Sequence, residues 1–187
     1  RPINLNFFCH RMAPPDRGED ERWRRVLAPF YAESGVEPPP FGTAGARRPI
    51  DAATVELLET FRPPVLSFHF GLPDPALLKR IKAWGALVLA SATTLDEGLW
   101  LQRHGADIVI AQGIEAGGHR GHFLSDELSL QPSTAALVAQ LARALSVSIV
   151  AAGGIGSHAD AQALLEAGAH AVQAGSAYLL CPEARTS

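Results

Sequence analysis

The sequence is short of cysteine, of basic clusters and of long apolar runs, and each shortage removes a class of protein. Only Cys9 and Cys181 are present among 187 residues, which is too few for a disulfide scaffold and suits a reducing compartment. Sixteen basic residues stand against nineteen acidic ones, for a formal net charge of −3. Because no basic stripe is available to bind a phosphate backbone, we expect no nucleic-acid partner.

No apolar run approaches the roughly twenty residues that span a bilayer. The opening residues Arg1 to Asn4 also lack the charged, apolar and small-residue order of a signal peptide. These absences predict a cytoplasmic protein without a membrane partner. With 47% hydrophobic and 19% charged residues, the composition is typical of one globular domain with one sizeable core.

What the sequence does contain is an alternation of short apolar runs with helical patterns. Parallel strands that are joined by helices are buried on both faces, so they form nearly continuous apolar runs of this kind. The pattern predicts an α/β fold with six strands, which begin near Ile3, Val65, Ala86, Asp107, Ser148 and Ala171. Six units leave two interpretations open: an eightfold barrel with sequence missing, which we expect, or a six-stranded open sheet.

The predicted helices carry start and stop signals. Asp74 stands before Pro75 as an N-cap, and Thr94 with Glu97 predicts a capping box for the next helix. Further signals are the N-caps Ser133 and Ser157 and the terminating glycines Gly105 and Gly168. These signals divide the second half of the chain into repeated strand–helix units.

Residues 9–63 depart from this alternation. They contain a charged helix around Asp20 to Ser34, a proline-rich link at Pro38 to Pro40 and a second helix from Asp51 to Phe61. We interpret the segment as an insertion on the substrate side of a single domain that spans residues 1–187.

An enlarged loop follows the strand near Asp107, since the step to the next strand is nearly twice as long as the two steps before it. The loop contains the glycine-rich stretch QGIEAGGHRGH at residues 112–122. Barrel and open α/β enzymes both carry their chemistry at the carboxyl ends of strands. We therefore look for function in this loop.

His119 lies between glycines in that loop, where a ligand can approach closely. Its imidazole is a candidate acid or base, and a plain surface histidine is the alternative. His119 and His122 lack the spacing and the partners of a metal site, so no metal is predicted. Glu115 is either a second acid or a cap for backbone amides of the loop.

Two glycine loops follow the last two strands. Gly153 and Gly154 precede a helix that begins near Ser157, and Gly175 with Ser176 follows the next strand. Amides near helix starts, in the loops after the last strands of a barrel, are a common phosphate site. The alternative is that these glycines only end their strands for steric reasons.

Polar side chains also occur on the strands themselves. Gln112 ends its strand and Asn6 lies within another, and both amides could face a heteroaromatic ring or bind neighbouring loops. Ser67 and His69 share one strand face, which indicates either a lined pocket or a satisfied core histidine.

Together these residues resemble a known family. The stretch from Ala106 to Gly121 closely resembles the signature of nitronate monooxygenases, formerly called 2-nitropropane dioxygenases. Further matches follow in order: Asn6 in INLNFF, SFHFG at 67–71, AAGGI at 151–155 and QAGSAYL at 173–179. The resemblance covers nearly the whole chain apart from 9–63. It implies a (β/α)8 TIM barrel of which about six strand–helix units are present, without the N-terminal portion that closes the barrel.

The resemblance also implies a cofactor and a reaction. FMN would bind at the carboxyl-terminal mouth, with His119 as the catalytic histidine that orients a nitronate or removes a proton from a nitroalkane. The implied cofactor-binding residues are Asn6, Gln112, Gly117, Gly153, Gly154, Gln173, Ala174, Gly175 and Ser176. The implied partners are an alkyl nitronate and O2, which yield a carbonyl compound and nitrite. Association with a second copy of the chain is left open.

Three other functions compete with this interpretation. A flavin-dependent enoyl-acyl-carrier-protein reductase resembles the same barrel, although we expect an acidic residue in place of its Gln112. A barrel lyase or isomerase would use the two glycine loops for a substrate phosphate. A truncated, non-catalytic remnant would fold only by pairing with another chain.

Overall fold

The computed structural model describes residues 3–12, 14, 16–41, 48–179 and 181–184. The chain divides into a large unit, formed by Arg1–His10 with Ile50–Ser187, and a small unit, Arg11–Pro49. Among the described residues, no helix combines the length and the apolar character that crossing a membrane requires.

One parallel sheet of six strands forms the centre of the large unit. Each strand pairs with the next one along the chain, in the order β1 to β6. The strands are β1 Asn4–Phe8, β2 Val65–His69, β3 Leu87–Ala92, β4 Ile108–Gln112, β5 Ser148–Ala152 and β6 Ala171–Gln173. Because crossovers between parallel strands are right-handed, a sequential order without reversal puts the helices on one face. The predicted partial (β/α)8 fold is therefore confirmed.

The described residues form six α-helices, and the last four alternate with the strands after β2, as the sequence predicts. They are α1 Arg17–Ser34, α2 Ala52–Phe61, α3 Pro75–Ala83, α4 Leu95–Arg103, α5 Thr134–Ala144 and α6 His158–Glu166. The N-caps predicted at Asp74, Ser133 and Ser157 are confirmed, since each side chain accepts a hydrogen bond from the first turn of its helix. Gly105 and Gly168 follow helix ends with φ of +103° and +113°.

The predicted capping box of α4 is wrong in one half. Thr94 does accept a hydrogen bond from the amide of Glu97, so the N-cap is present. The carboxylate of Glu97 does not return to Thr94, however, and binds the amide and hydroxyl of Thr93 instead. Glu97 is 1% exposed and thus belongs to the interior of the unit.

The two faces of the sheet differ in chemistry. The outer face carries fully buried apolar side chains such as Phe68, Val88 and Val109, which join Leu101 and Leu137 of the helices in one core. Burial of a side chain of this size contributes about 1.5–3 kcal/mol. The inner face carries polar side chains instead: Asn6, Ser67, Ser91, Gln112 and Gln173. The helices hold the sheet from one side and leave the other side to line a site.

The segment 9–63 is divided between the two units. Helix α2 packs against α3 in the large unit, where Arg80 forms a bidentate ion pair with Glu59 at 2.8 and 2.9 Å. Helix α1 forms most of the described part of the small unit, with Asp16 as its N-cap and Gly35, at φ +63°, as its C-cap. The substrate-side role of the segment stays a prediction.

Candidate active site

Two cavities with shared walls occupy the inner side of the sheet. The loop cavity, about 560 Å³, lies between the loops that follow β4, β5 and β6. The inner-face cavity, about 450 Å³, follows the polar face of the strands. Gln112, Gly117, Ala152 and Gln173 line both cavities. Both volumes fall in the range of roughly 300–1,000 Å³ that is usual for small-molecule sites.

The structure brings the ten predicted site residues to these two cavities. The loop cavity is lined by Gln112, Gly117, Gly153, Gly154, Gln173, Ala174, Gly175 and Ser176. Asn6 and His119 line the inner-face cavity. Ser67 and His69 line it too, and both ring nitrogens of His69 have hydrogen-bond partners, so the two interpretations considered for this pair do not exclude each other. The individual roles of these residues stay predictions.

One position in the loop after β5 requires glycine. Gly153 has φ of +120°, and a Cβ there would lie 2.8 Å from both the amide nitrogen of Ala116 and Oγ1 of Thr134. A Cβ on Gly175, by contrast, would meet no heavy atom within 4 Å. Gly153 thus permits the close packing of two loops, while Gly175 borders open space.

Unpaired backbone amides form part of the wall of the loop cavity. Within the described part of the chain, the N–H groups of Gly154, Ile155, Gly175 and Ser176 donate no hydrogen bond. Successive amides that face a concave surface attract anions. These four amides are among the backbone donors that remain available for an anion in this cavity.

The start of α6 is not part of that donor set. One carboxylate oxygen of Asp160 accepts from the amides of Gly156 and Ser157, at 3.1 and 2.8 Å, and from the hydroxyl of Ser157. The hydroxyl of Ser157, with these two amides, holds the pKa of Asp160 below its ordinary value. A carboxylate therefore already binds the amides of Gly156 and Ser157, and the phosphate contacts expected at Gly153 and Gly154 stay predictions.

Glu115 adds a second carboxylate to the loop cavity. One of its oxygens accepts from the amide and the hydroxyl of Thr134, both at 2.8 Å, so the side chain caps the start of α5. Burial, the largest single cause, raises the pKa of Glu115, but the hydrogen bonds from Thr134 and from its own amide, together with the charge of Arg120, leave the pKa below its ordinary value. Among the described residues that line this cavity, none is a lysine, an arginine or a histidine. An anion there would depend on backbone amides and on neutral donors such as the hydroxyl of Ser176.

Gln112 directs both ends of its amide to the enlarged loop. Its nitrogen donates to the carbonyl oxygen of His119 at 2.8 Å, and its oxygen accepts from the amide of Gly121 at 2.7 Å. Of the two interpretations considered for Gln112, binding to a neighbouring loop is thus observed. The side chain still borders both cavities.

Two side chains that the sequence analysis did not assign to the site also hold this loop. The guanidinium of Arg120 donates to the carbonyls of Gly113, Ile114 and Ala116 at 2.6 to 3.2 Å. The buried carboxylate of Glu97 accepts from the amides of Phe123 and Leu124 at 2.6 and 3.2 Å. The loop is therefore fixed at its start and again near its middle, and His119 lies between these points.

The imidazole of His119 is exposed and borders two aromatic rings. Its centroid lies 5.2 Å from that of Phe8 and 6.2 Å from that of Phe70. Phe70 has φ of +67°, an uncommon value for a bulky residue. Neither phenylalanine was predicted to belong to the site, although both stand in the matched stretches INLNFF and SFHFG.

The fold and the two cavities define a protein of the (β/α)8-barrel class whose site lies at the carboxyl ends of the strands. A family model described as nitronate monooxygenase matches residues 1–187. The chain belongs to the nitronate monooxygenase family, which is a family of flavoenzymes.

Individual relatives agree with this assignment. The chain is 42% identical to a nitronate monooxygenase of Pseudomonas aeruginosa over 98% of its own length and 52% of that protein. It is 39% identical to one of Paraburkholderia phytofirmans over 98% and 50%. The structure of a nitroalkane oxidase from Streptomyces ansochromogenes superposes with a TM-score of 0.82 at 38% identity, over 96% of this chain and 51% of that one. The chain spans about half the length of the curated relatives that it matches.

Proposed function

We propose that this chain serves an FMN-dependent oxidation of alkyl nitronates by O2, with a carbonyl compound and nitrite as products. The observation that carries the proposal is the pairing of two cavities with a common wall. One has unpaired amides for an anion, and the other has the exposed imidazole of His119. The family assignment supports the same reaction class.

The residues present fit a flavin mononucleotide. The amides of Gly154, Ile155, Gly175 and Ser176 would hold its phosphate, and the space beside Gly175 is open. Gln173 lines both cavities, so its amide can reach a group that extends from one to the other. When bound, FMN would supply the electron transfer that none of the protein side chains provides.

Asn6 is the predicted flavin contact on β1. Its Oδ1 accepts from the hydroxyl of Ser67 at 2.8 Å, while the amide of Asn4 donates to the same hydroxyl at 2.9 Å. The oxygen of Asn6 is thus oriented by Ser67, and its amino group is directed away from that bond. Asn6 is exposed on the inner-face cavity and can donate to a ring carbonyl or nitrogen.

His119 would act on the substrate. Its imidazole can donate a hydrogen bond to the nitro oxygens of a nitronate, or accept the carbon-bound proton of a neutral nitroalkane. The aromatic edges of Phe8 and Phe70 offer an apolar border for the alkyl part of the substrate. The fixed loop backbone keeps the imidazole at the cavity, so little order has to be gained on binding.

Replacement of one histidine by asparagine tests the catalytic part of the proposal. His119→Asn should retain flavin and lose at least about a hundredfold in nitronate-dependent O2 consumption and nitrite release. His122→Asn is the matched control, because His122 belongs to the same loop but lines neither cavity. Equal turnover of His119→Asn and the unmodified chain would contradict the assigned role. Oxidation of NADH with an enoyl thioester, without activity on nitronates, would favour the reductase instead.

A further inference from the structure

The carbonyl oxygen of His119 accepts hydrogen bonds from side chains of two different strands. Nε2 of His69, on β2, lies 3.0 Å from this oxygen, and Nε2 of Gln112, on β4, lies 2.8 Å from it. A carbonyl oxygen has two lone pairs, so these two donors saturate it. The peptide that carries the catalytic candidate is therefore held from both sides.

The contacts of His69 determine its tautomer. Because a carbonyl only accepts hydrogen bonds, the proton of a neutral His69 must lie on Nε2. Nδ1 is then free to accept from the hydroxyl of Ser91, whose oxygen lies 3.1 Å away. Burial, the largest cause, lowers the pKa of His69, and the nearby imidazole of His119 lowers it further, whereas the bond to the carbonyl of His119 raises it. The net direction favours the neutral ring.

Packing fixes the orientation of the His69 ring. A Cβ on Gly121 would lie 2.6 Å from Cε1 of His69, so the ring lies directly against the backbone of the loop. The ring of Phe70 contacts it on another side, with 4.7 Å between centroids in an edge-on arrangement. A ring confined in this way cannot turn to present its other nitrogen to His119 without displacing the loop.

We propose that His69 is a positioning residue for His119: as the neutral Nε2–H tautomer, anchored by Ser91, it holds the His119 carbonyl and thereby aims the imidazole. The inference rests on the proposed function for its catalytic consequence. The hydrogen bond from His69 to the carbonyl oxygen of His119, called the clamp below, lies within this chain and can be measured without cofactor or substrate.

The tautomer is measured first, by long-range ¹H–¹⁵N correlation of the histidine rings at neutral pH on the ¹⁵N-labelled chain. We expect His69 to give the pattern of a proton on Nε2 alone. Ser91→Ala should keep the Nε2–H form, because the carbonyl oxygen of His119 still requires a donor from that nitrogen. An Nδ1–H tautomer for His69 in the unmodified chain would overturn the proposal.

The second measurement follows the loop. His69→Phe keeps a ring of similar size and removes the donor, so hydrogen exchange at the Gly121 amide should become at least about tenfold faster. His69→Gln retains an N–H donor and should recover part of the protection. His104→Phe is the control, because His104 stacks on Trp100 away from both cavities. Unchanged exchange in a folded His69→Phe variant would overturn the clamp.

Turnover separates this inference from the proposed function. With nitronate as substrate, His69→Phe should lower kcat about tenfold or more and leave KM nearly unchanged, because the imidazole of His119 is no longer held in its orientation. Wild-type turnover in that variant would overturn the positioning role and leave the proposed function intact. A clamp detected in a chain that neither binds flavin nor turns over would contradict the proposed function alone.

Discussion

The loop after β4 and the loops after β5 and β6 border the same cavity but are held in different ways. In the first, the side chains of Glu97, Gln112 and Arg120 bind backbone groups along the loop. In the loops after β5 and β6, glycine conformations let the backbone approach neighbouring backbone closely, and several amides stay unpaired. The difference indicates two tasks: one loop fixes a side chain, and the other loops present backbone donors to a ligand.

Different substitutions should therefore damage the two regions. Loss of a side chain should disturb the β4 loop most, because its backbone partners are partly buried and would lose their hydrogen bonds. An added Cβ should disturb the β5 loop most, because its positive φ values and close approach depend on glycine.

Glu97→Ala should be the most damaging substitution for stability. It would leave the amides of Thr93, Phe123 and Leu124 without their acceptor in a site that is 1% exposed at Glu97 itself. We expect a loss of about 3–5 kcal/mol in the free energy of unfolding. Urea unfolding followed by circular dichroism measures this loss.

The neighbouring Asp96→Ala is the matched control for Glu97→Ala. Asp96 is exposed in the first turn of the same helix, so its removal should cost less than about 1 kcal/mol. Equal effects of the two substitutions would show that the buried carboxylate does not hold the loop.

Gly153→Ala should disturb the cofactor side. The new Cβ would meet the backbone of Ala116 at 2.8 Å with φ at +120°, which we expect to cost about 2–3 kcal/mol and to abolish flavin uptake. Gly175→Ala adds the same methyl group where nothing lies within 4 Å and should leave stability nearly unchanged. Thermal unfolding and flavin fluorescence titration compare the two variants. A Gly153→Ala protein as stable as Gly175→Ala would contradict the steric account.

Asp160→Asn tests how the negative charge of the loop cavity affects phosphate binding. The substitution keeps an oxygen for the amides of Gly156 and Ser157 but removes one negative charge from the wall of the loop cavity. FMN should bind about threefold to tenfold more tightly, while riboflavin, which lacks the phosphate, should bind equally. Glu166→Gln, at the other end of α6, is the control. Tighter binding of both flavins would mean that the charge of Asp160 does not act on the phosphate.

At acid pH the free energy of unfolding of the large unit should fall by a small amount, because the carboxylates of Asp160 and Glu115 become protonated. The folded-state pKa values of Asp160 and Glu115 are lowered, so their contributions are complete above the ordinary pKa values and disappear as the pH falls through the lowered ones. The urea midpoint should therefore fall between about pH 5 and pH 3. A Glu115→Gln/Asp160→Asn double variant should show a shallower fall, and an identical pH profile would contradict this assignment.

The sequence was sufficient where the determining signals are local. Alternating apolar runs predicted the strands, caps such as Asp74 and Ser157 predicted helix starts, and the glycine-rich stretches predicted which loops line the cavities. These features depend on residues within a few positions of one another, so they are readable without a fold.

The sequence was insufficient where distant backbone groups select a side chain. Thr94 and Glu97 match a capping box locally, yet Glu97 is drawn away by an amide 26 positions along the chain. The sequence indicates Gln112 as a flavin contact. In the folded chain its side chain binds the carbonyl of His119 and the amide of Gly121. Phe8 and Phe70 meet His119 only once β1, β2 and the β4 loop are assembled.

The most direct test of the central claim is a flavin titration of the purified chain, followed by visible absorption and by identification of the bound molecule. The account predicts about one FMN per chain. Riboflavin should bind more weakly, because it has no phosphate for the unpaired amides of Gly154 and Gly175 to bind. A chain that takes up no FMN, or that binds FMN and riboflavin with equal affinity, would contradict it.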